Sequence, residues 1–430
     1  MKKMPLTLVA LFASATTAFA AEYEISTLEE LREFMEAVHV EDFAGDTITL
    51  TADIDCERGR FNTGDPEYPS TFRGTFDGGG HVISNFVHAA TGSTQEGYGV
   101  AMFDFAETGA AILNLTLEGT LPGTASGAYA APFVLAVESP LGLFMDNCHF
   151  RGSVTNYYHA AGLVGFASSG TGAVEVPSVV LTNCSVRGEI VSTWVYTAGG
   201  LVAKGTGVQA FDCSVEGELH GGRTGGLVGE AYGGSFEGCS FGGTMRPDRE
   251  TVGNCIQGGL AAETSNAVFR ACTSAVEASN LPGDQNTLTL AGFAASVGSG
   301  ALISNCHVKV DWQGVHPDSY VGSDLESCQY YGLAHTVSGA CIRIVGCTVE
   351  GRHAGVRVRG ERDAERRRNH AVRGVRGRFD DDEPHGRRGR GLRGEPLLVR
   401  RRGRARMLLG GRGRCSRQCG GVRLRDFHAG

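Results

Sequence analysis

Proline is scarce, at 12 of 430 residues, tryptophan occurs twice, and charged residues make up only 20% of the chain. The 64 glycines follow no strict G-X-Y period, which excludes a collagen-like rod. Beyond the N-terminus no apolar run reaches about 18 residues, so no membrane-spanning helix is expected. No HExxH occurs among the 13 histidines and no CxxC among the 13 cysteines, which removes the commonest zinc signatures. Asp-rich calcium nonapeptides are also missing. What is there is 41% apolar residues, enough for a sizeable core, in a glycine-rich and turn-rich text.

The formal charge of -8 conceals two compositions. Residues 1–350 carry 15 Lys+Arg against 38 Asp+Glu, and residues 351–430 carry 24 against 9. The acidic part repels nucleic acid, which is not expected as a partner. Residues 1–20 read as an export signal: Lys2 and Lys3, an apolar stretch from Pro5 to Ala13, and Ala18-Phe19-Ala20 before a cleavage point. The basic tail, 352–430, contains 24 Arg in the stretch from 351 onward and no Lys. Arg-rich, Lys-free, Gly-rich text is what an out-of-frame reading of a GC-rich gene gives; the alternative is a disordered basic arm.

Two half-motifs recur between these ends. The first is a small-Gly-apolar-small strand, as in Ala161-Gly162-Leu163-Val164-Gly165, Gly199-Gly200-Leu201-Val202-Ala203, Gly225-Gly226-Leu227-Val228-Gly229, Gly258-Gly259-Leu260-Ala261-Ala262, Ala291-Gly292-Phe293-Ala294-Ala295 and Tyr331-Gly332-Leu333-Ala334-His335. The second is apolar-x-turn residue-Cys-x-apolar, as in Leu181-Thr182-Asn183-Cys184-Ser185-Val186. After the first copy, the second glycine and the cysteine stand 13 to 15 residues apart, whereas the return segment varies from 13 to 26. A repeat of about 33 residues with period-2 alternation and no long 3.6-period stretch predicts a stacked parallel β-solenoid. At about 4.8 Å per coil, nine coils make a rod of roughly 40 Å.

The cysteine slot reads upward as Phe86, Leu115, Cys148, Cys184, Cys213, Cys239, Cys272, Cys306 and Cys347. A slot that takes Phe, Leu and Cys alike is interior, and its cysteines are expected as unpaired packing residues, since stacked parallel side chains do not favour disulfide torsions. Cys255, Cys328 and Cys341 lie off the column, and their state is open. The preceding residue is Asn85, Asn114, Asn147, Asn183, Asp212, Gly238, Ala271, Asn305 or Gly346. These are mostly residue types that tolerate the left-handed conformation, so a tight bend with an asparagine ladder is expected there.

These residues resemble the GLUG-motif repeat proteins, bacterial secreted or surface chains with Gly-Gly-Leu-Val-Gly and Asn-Cys-x-apolar strands on a right-handed parallel β-helix. The resemblance covers residues 22 to about 350. It implies an all-β, single-stranded solenoid and, more often than catalysis, adhesion or surface binding. It also implies an N-terminal cap within 21–56. Ser26 to Val38 reads as an amphipathic helix (Leu28, Leu31, Phe34, Met35, Val38), with a capping box at Ser26/Glu29 or Thr27/Glu30. The repeats then occupy 57–351. The motif accompanies an IgA-cleaving zinc peptidase as well, and the missing HExxH argues against that activity here.

No catalytic or metal-binding residue and no cofactor is expected from the sequence. The residues three after the slot, Arg187, Glu216, Gly242, Ala275, Lys309 and Glu350, form no carboxylate cluster for glycoside chemistry. Asp77 and His81 fall in a turn-like Phe-Asp-Gly-Gly-Gly-His, and Gly221 to Gly226 lacks the ending of a phosphate loop. The variable return segment carries Tyr157, Tyr158, Trp194, Tyr196, Trp312 and Tyr320 as candidate ligand-binding residues. Two readings stand: platforms for sugar rings or a surface protein, or β-prone aromatics covering a strand or loop. The sequence thus predicts an exported adhesion scaffold, a monomer or part of a longer surface protein, with a carbohydrate-active β-helix enzyme as the alternative.

Overall fold

The computed structural model describes residues 20–57, 60–61, 69–88, 99–123, 128–169, 177–193, 196–246, 254–278, 287–312, 328–353, 372–373 and 376–380. The chain winds as a parallel β-solenoid with four strands per coil. One coil shows the plan: Thr197–Gly199, Val202–Thr206, Gln209–Phe211 and Ser214–His220. Each strand pairs in parallel with its equivalent one coil later, Arg223–Gly225, Val228–Tyr232, Ser235–Glu237 and Ser240–Arg246. Sheet 1 runs through Gln209–Phe211 and sheet 2 through Ser214–His220, with 12 strands each; sheet 3, through Thr197–Gly199, has seven, and sheet 4, through Val202–Thr206, has nine. No helix among the described residues is long and apolar enough to cross a membrane. The export signal lies outside the described residues. Of the basic tail, only 352–353, Val372–Arg373 and Arg376–Asp380 are described, the last two as short strands continuing sheets 1 and 2.

The corner between sheets 1 and 2 follows from the cysteine motif. Asn114, Asn147, Asn183, Asp212, Gly238, Ala271, Asn305 and Gly346 all have positive φ, between 50° and 68°. The asparagines form part of a ladder: Asn114 Nδ2 donates to Asp77 Oδ1 at 3.1 Å and Asn147 Nδ2 to Asn114 Oδ1 at 3.1 Å. Asn183 Nδ2 instead reaches Asp146 Oδ1, at 3.2 Å. The residue after each corner is buried: Leu115 after Asn114, and after the other seven a cysteine, all seven thiols free and at most 1% exposed. Their sulfurs also satisfy the corner, since Cys184 Sγ donates to Thr182 O at 3.2 Å and Cys239 Sγ to both Glu237 O and Ala210 O at 3.4 Å. The neighbouring thiols, and then burial, hold Cys213 and Cys272 far above the ordinary thiol range. Cys56, at the foot of the rod, is pushed up to about 12, chiefly by burial. Cys255 is buried and Cys341 exposed, while the side chain of Cys328 lies outside the described set.

Phe86 corrects the expected column. It is buried, but it lies inside a long strand of sheet 2, Val82–His88, opposite Gly119. Ile83 pairs with Leu117, and Ile112 with Phe76 of sheet 1. Asn85 does have φ 55°, yet it marks an irregularity within the strand, where the register shifts. The equivalent corner is the turn after Asp77, whose Oδ1 accepts from Gly79 N at 3.0 Å, with Gly79 and Gly80 at positive φ. Leu115 is therefore the lowest member of the column.

One end of the rod is closed by the expected helix, Leu28–Ala37, and the capping box is the Thr27/Glu30 pair. A strand unforeseen in the sequence, Glu22–Ile25, precedes it and pairs with Thr47–Leu50 to begin sheet 1. Phe34 descends from the helix among Phe43, Phe76, Phe103 and Phe72, with ring centroids 5.2 to 6.3 Å apart. These rings fill what would otherwise be an open, apolar strand end.

Candidate functional site

The Gly-Gly-Leu-Val-Gly motif turns the chain from sheet 3 into sheet 4 and folds these sheets toward one another outside the core. The close approach of the two sheets needs small residues. A Cβ at Gly229 would lie 2.0 Å from Thr197 Cγ2 and 2.5 Å from Ala203 O. Ala131, Ala161 and Ala203 are wholly buried in a small cluster separate from the main core. The result is a shallow groove along the rod axis whose two rows of side chains meet across it, Thr197 with Glu230 at 3.2 Å and Tyr129 with Phe166 at 5.5 Å.

Register fixes both rows. On sheet 3, Tyr129, His159, Thr197 and Arg223 are successive partners; on sheet 4, Phe105, Ala136, Phe166, Lys204, Glu230 and Glu263 are. The lower stretch is aromatic. Tyr129 stacks on His159 at 4.8 Å and lies 5.5 Å from Phe166, and His159 meets Tyr196 edge-on at 5.5 Å. Tyr158 lies 4.6 Å from Tyr196 and 4.9 Å from Tyr157. Three sequence-predicted residues, Tyr157, Tyr158 and Tyr196, are thus brought together, half-buried, on the rim. Trp194, Tyr320 and the side chain of Trp312 lie outside the described residues. A separate cleft of about 280 Å³ lies at the end of the first sheet 4 strands, lined by Pro69, Thr71, Phe105, Glu107, Glu138 and Ser139, with no residue of sheet 3.

Above the aromatics the groove is charged. Glu230, with only 4% of its side chain exposed, accepts from Thr197 Oγ1, Arg223 Nη1 and Tyr232 OH, each at 3.2 Å, and pairs with Lys204 Nζ at 3.2 Å. Burial alone would raise its carboxyl; Lys204 and then Arg223 outweigh that and hold it below the usual carboxylate range. Arg223 Nε also reaches Glu263 at 3.8 Å. Burial, and secondarily Glu230, push the Tyr232 and Tyr129 hydroxyls up to about 12. His159 is pushed down to about 4, first by burial and then by Lys204, so its ring is neutral near pH 7. Its Nδ1 accepts from Thr197 N at 3.3 Å, which fits that neutral state.

Sequence reasoning missed Lys204, Arg223, Glu230 and Glu263, although a signal existed. Phe166, Lys204, Glu230 and Glu263 each stand four places after the second motif glycine, and His159, Thr197 and Arg223 three places before it. Only the offset from the cysteine had suggested outward residues. That face, on sheet 2, does carry ion pairs such as Arg187 to Glu216 at 2.5 Å and Arg151 to Glu118 at 2.8 Å.

Among the described residues one set could hold a metal ion, Glu189, Glu218 and His220, whose ligand atoms lie within 4.8 Å of one another. Arg246 already pairs with Glu218 and, opposing burial, holds its carboxyl below the usual range. A resident cation thus takes the place an ion would need. Asp77 and His81 are not joined as a site: Asp77 closes its turn, and His81 Nδ1 meets Asp53 at 3.1 Å.

No protein-family model and no curated protein matches this chain.

Proposed function

We propose that this protein is an exported, secreted or surface-displayed β-helix scaffold for adhesion, which binds its ligand in the groove between sheets 3 and 4 without transforming it. The observation that carries the reading is the unbroken passage, in register, from an aromatic stretch (Tyr129, Tyr158, His159, Tyr196) to a charged one (Lys204, Arg223, Glu230). Such a surface offers large apolar contact beside a few fixed polar groups, the usual constitution of a recognition site. The resemblance to GLUG-motif chains and the signal-like residues 1–20 support export and surface attachment.

A second reading, a polysaccharide lyase or hydrolase, has one observation in its favour: Glu230 and Glu263 are partners on adjacent coils with Arg223 between them. Against it, the Glu230 carboxylate is buried, fully engaged and held ionised, which makes it a poor proton donor. The test is binding of the full chain to arrayed glycans, immobilised surface proteins and whole cells, with product analysis on a polysaccharide panel. Binding that falls at least tenfold in Tyr158→Ala/Tyr196→Ala, without product, is the expected result. Release of reducing sugar or unsaturated uronate would move the assignment to the enzyme.

A further inference from the structure

Deepening the scaffold reading, on which it rests, we infer that the groove takes a linear, uncharged glycan laid along the rod axis, one sugar unit per coil. The first argument is periodicity. Successive coils repeat about every 4.8 Å, and a hexopyranose unit of an extended β-linked glycan advances its chain by a comparable distance. Successive units would therefore pass over equivalent positions of successive coils, where His159, Tyr196, Lys204, Arg223 and Glu263 are at least partly exposed while Thr197 and Glu230 lie buried beneath them. An extended peptide, advancing about 3.4 Å per residue, falls out of step with the coils. The groove strands moreover have paired strands on both sides, except Tyr129–Ala130 at the end of sheet 3, which is covered by the single bridge of Ala130 to Val100, so little free edge is offered for strand addition.

The second argument is chemistry. The aromatic side chains are distributed over consecutive coils: Tyr129, then Tyr158, His159 and Phe166, then Tyr196. Rings with polar edges suit the apolar faces and peripheral hydroxyls of sugars. The third argument is charge. Lys204 and Arg223 are neutralised by Glu230 and Glu263 inside the groove, so no net positive field remains to draw a polyanion. Residues 1–350, with 38 acids against 15 bases, would repel one as well. Hydrogen-bonding capacity nevertheless survives at the rim, where the Arg223 side chain is 46% exposed and Tyr232 is 39% exposed.

The experiment is calorimetric titration of the full chain with cello- and N-acetylchito-oligosaccharides of one to six units, alongside heparin and polygalacturonate as polyanion probes. Affinity for one neutral series is expected to climb at least tenfold from one unit to about four, the span of the coils from Tyr158 to Glu263, and then to level off. Tyr158→Ala/Tyr196→Ala should lose at least tenfold in that series, and Tyr232→Ala, a rim change that leaves the core intact, severalfold. Equal affinity for one and four units, tighter binding of a polyanion, or failure of both neutral series to bind overturns the glycan assignment. If the neutral series fail while Tyr158→Ala/Tyr196→Ala still weakens attachment to cells, the scaffold reading stands and the glycan class falls. If neither binding nor attachment responds, both fall.

Discussion

His159 shows how far a single side chain is bent by its place on the groove wall. Its folded pKa of about 4 lies below the unfolded value near 6.5, so the unfolded chain takes up the proton first. The stability it contributes is complete above pH 6.5 and drains away as pH falls toward 4. The full difference is on the order of 3 kcal/mol. Urea denaturation at pH 7 and pH 4.5 should show the native chain losing more stability across that window than His159→Gln does. An equal loss in both would mean that the imidazole titrates as though exposed. Residues also decide how much of this protein was legible in its sequence. The cysteine corner was legible because Asn, Asp and Gly mark a left-handed bend and the slot beside it takes only apolar groups or thiols. Phe86 misled because Ile83-Ser84-Asn85-Phe86 imitates that corner inside a strand, and only pairing partners tell an irregular strand from a turn.

At the scale of elements, the long strands of sheet 2 carry a constraint invisible to hydropathy. Gly119, Gly152, Gly188, Gly217 and Gly243 are stacked partners, and all but the first have φ between 148° and 155°. A Cβ at Gly188 would lie 1.8 Å from the carbonyl oxygen of Gly152, whereas one at Gly242 would meet nothing within 4 Å. Gly188→Ala should therefore cost about 2–4 kcal/mol and Gly242→Ala less than about 0.5 kcal/mol; denaturant midpoints of the two variants check the contrast. Helix and strands were readable from apolar spacing. The groove was not, because its two walls belong to different sheets and its charged members come from separate coils, so that Lys204 and Glu230 meet only once the winding is known.

For the whole molecule, stability is expected to be close to a sum over coils and their interfaces, since each coil pairs chiefly with the two beside it. Thr197 and Arg223 are register partners, and so are His220 and Arg246. Excising residues 197–222 should thus let Tyr196 join Arg223 with sheet order intact. The shortened chain should keep the far-ultraviolet β spectrum and unfold at modestly lower denaturant; loss of all cooperative folding would show that coils are not interchangeable. If the groove takes a glycan as proposed, the shortened chain should also lose affinity for the longer oligosaccharides, because one rung of the groove is gone.

The direction of the inter-coil hydrogen bonds has a mechanical consequence. They lie along the long axis of the rod, so tension applied between its two ends loads them one rung after another rather than many in shear. Under the proposed adhesion role, a cell held by such a molecule would feel a tether that lengthens stepwise under flow, yielding a coil at a time before the grip on its target is lost.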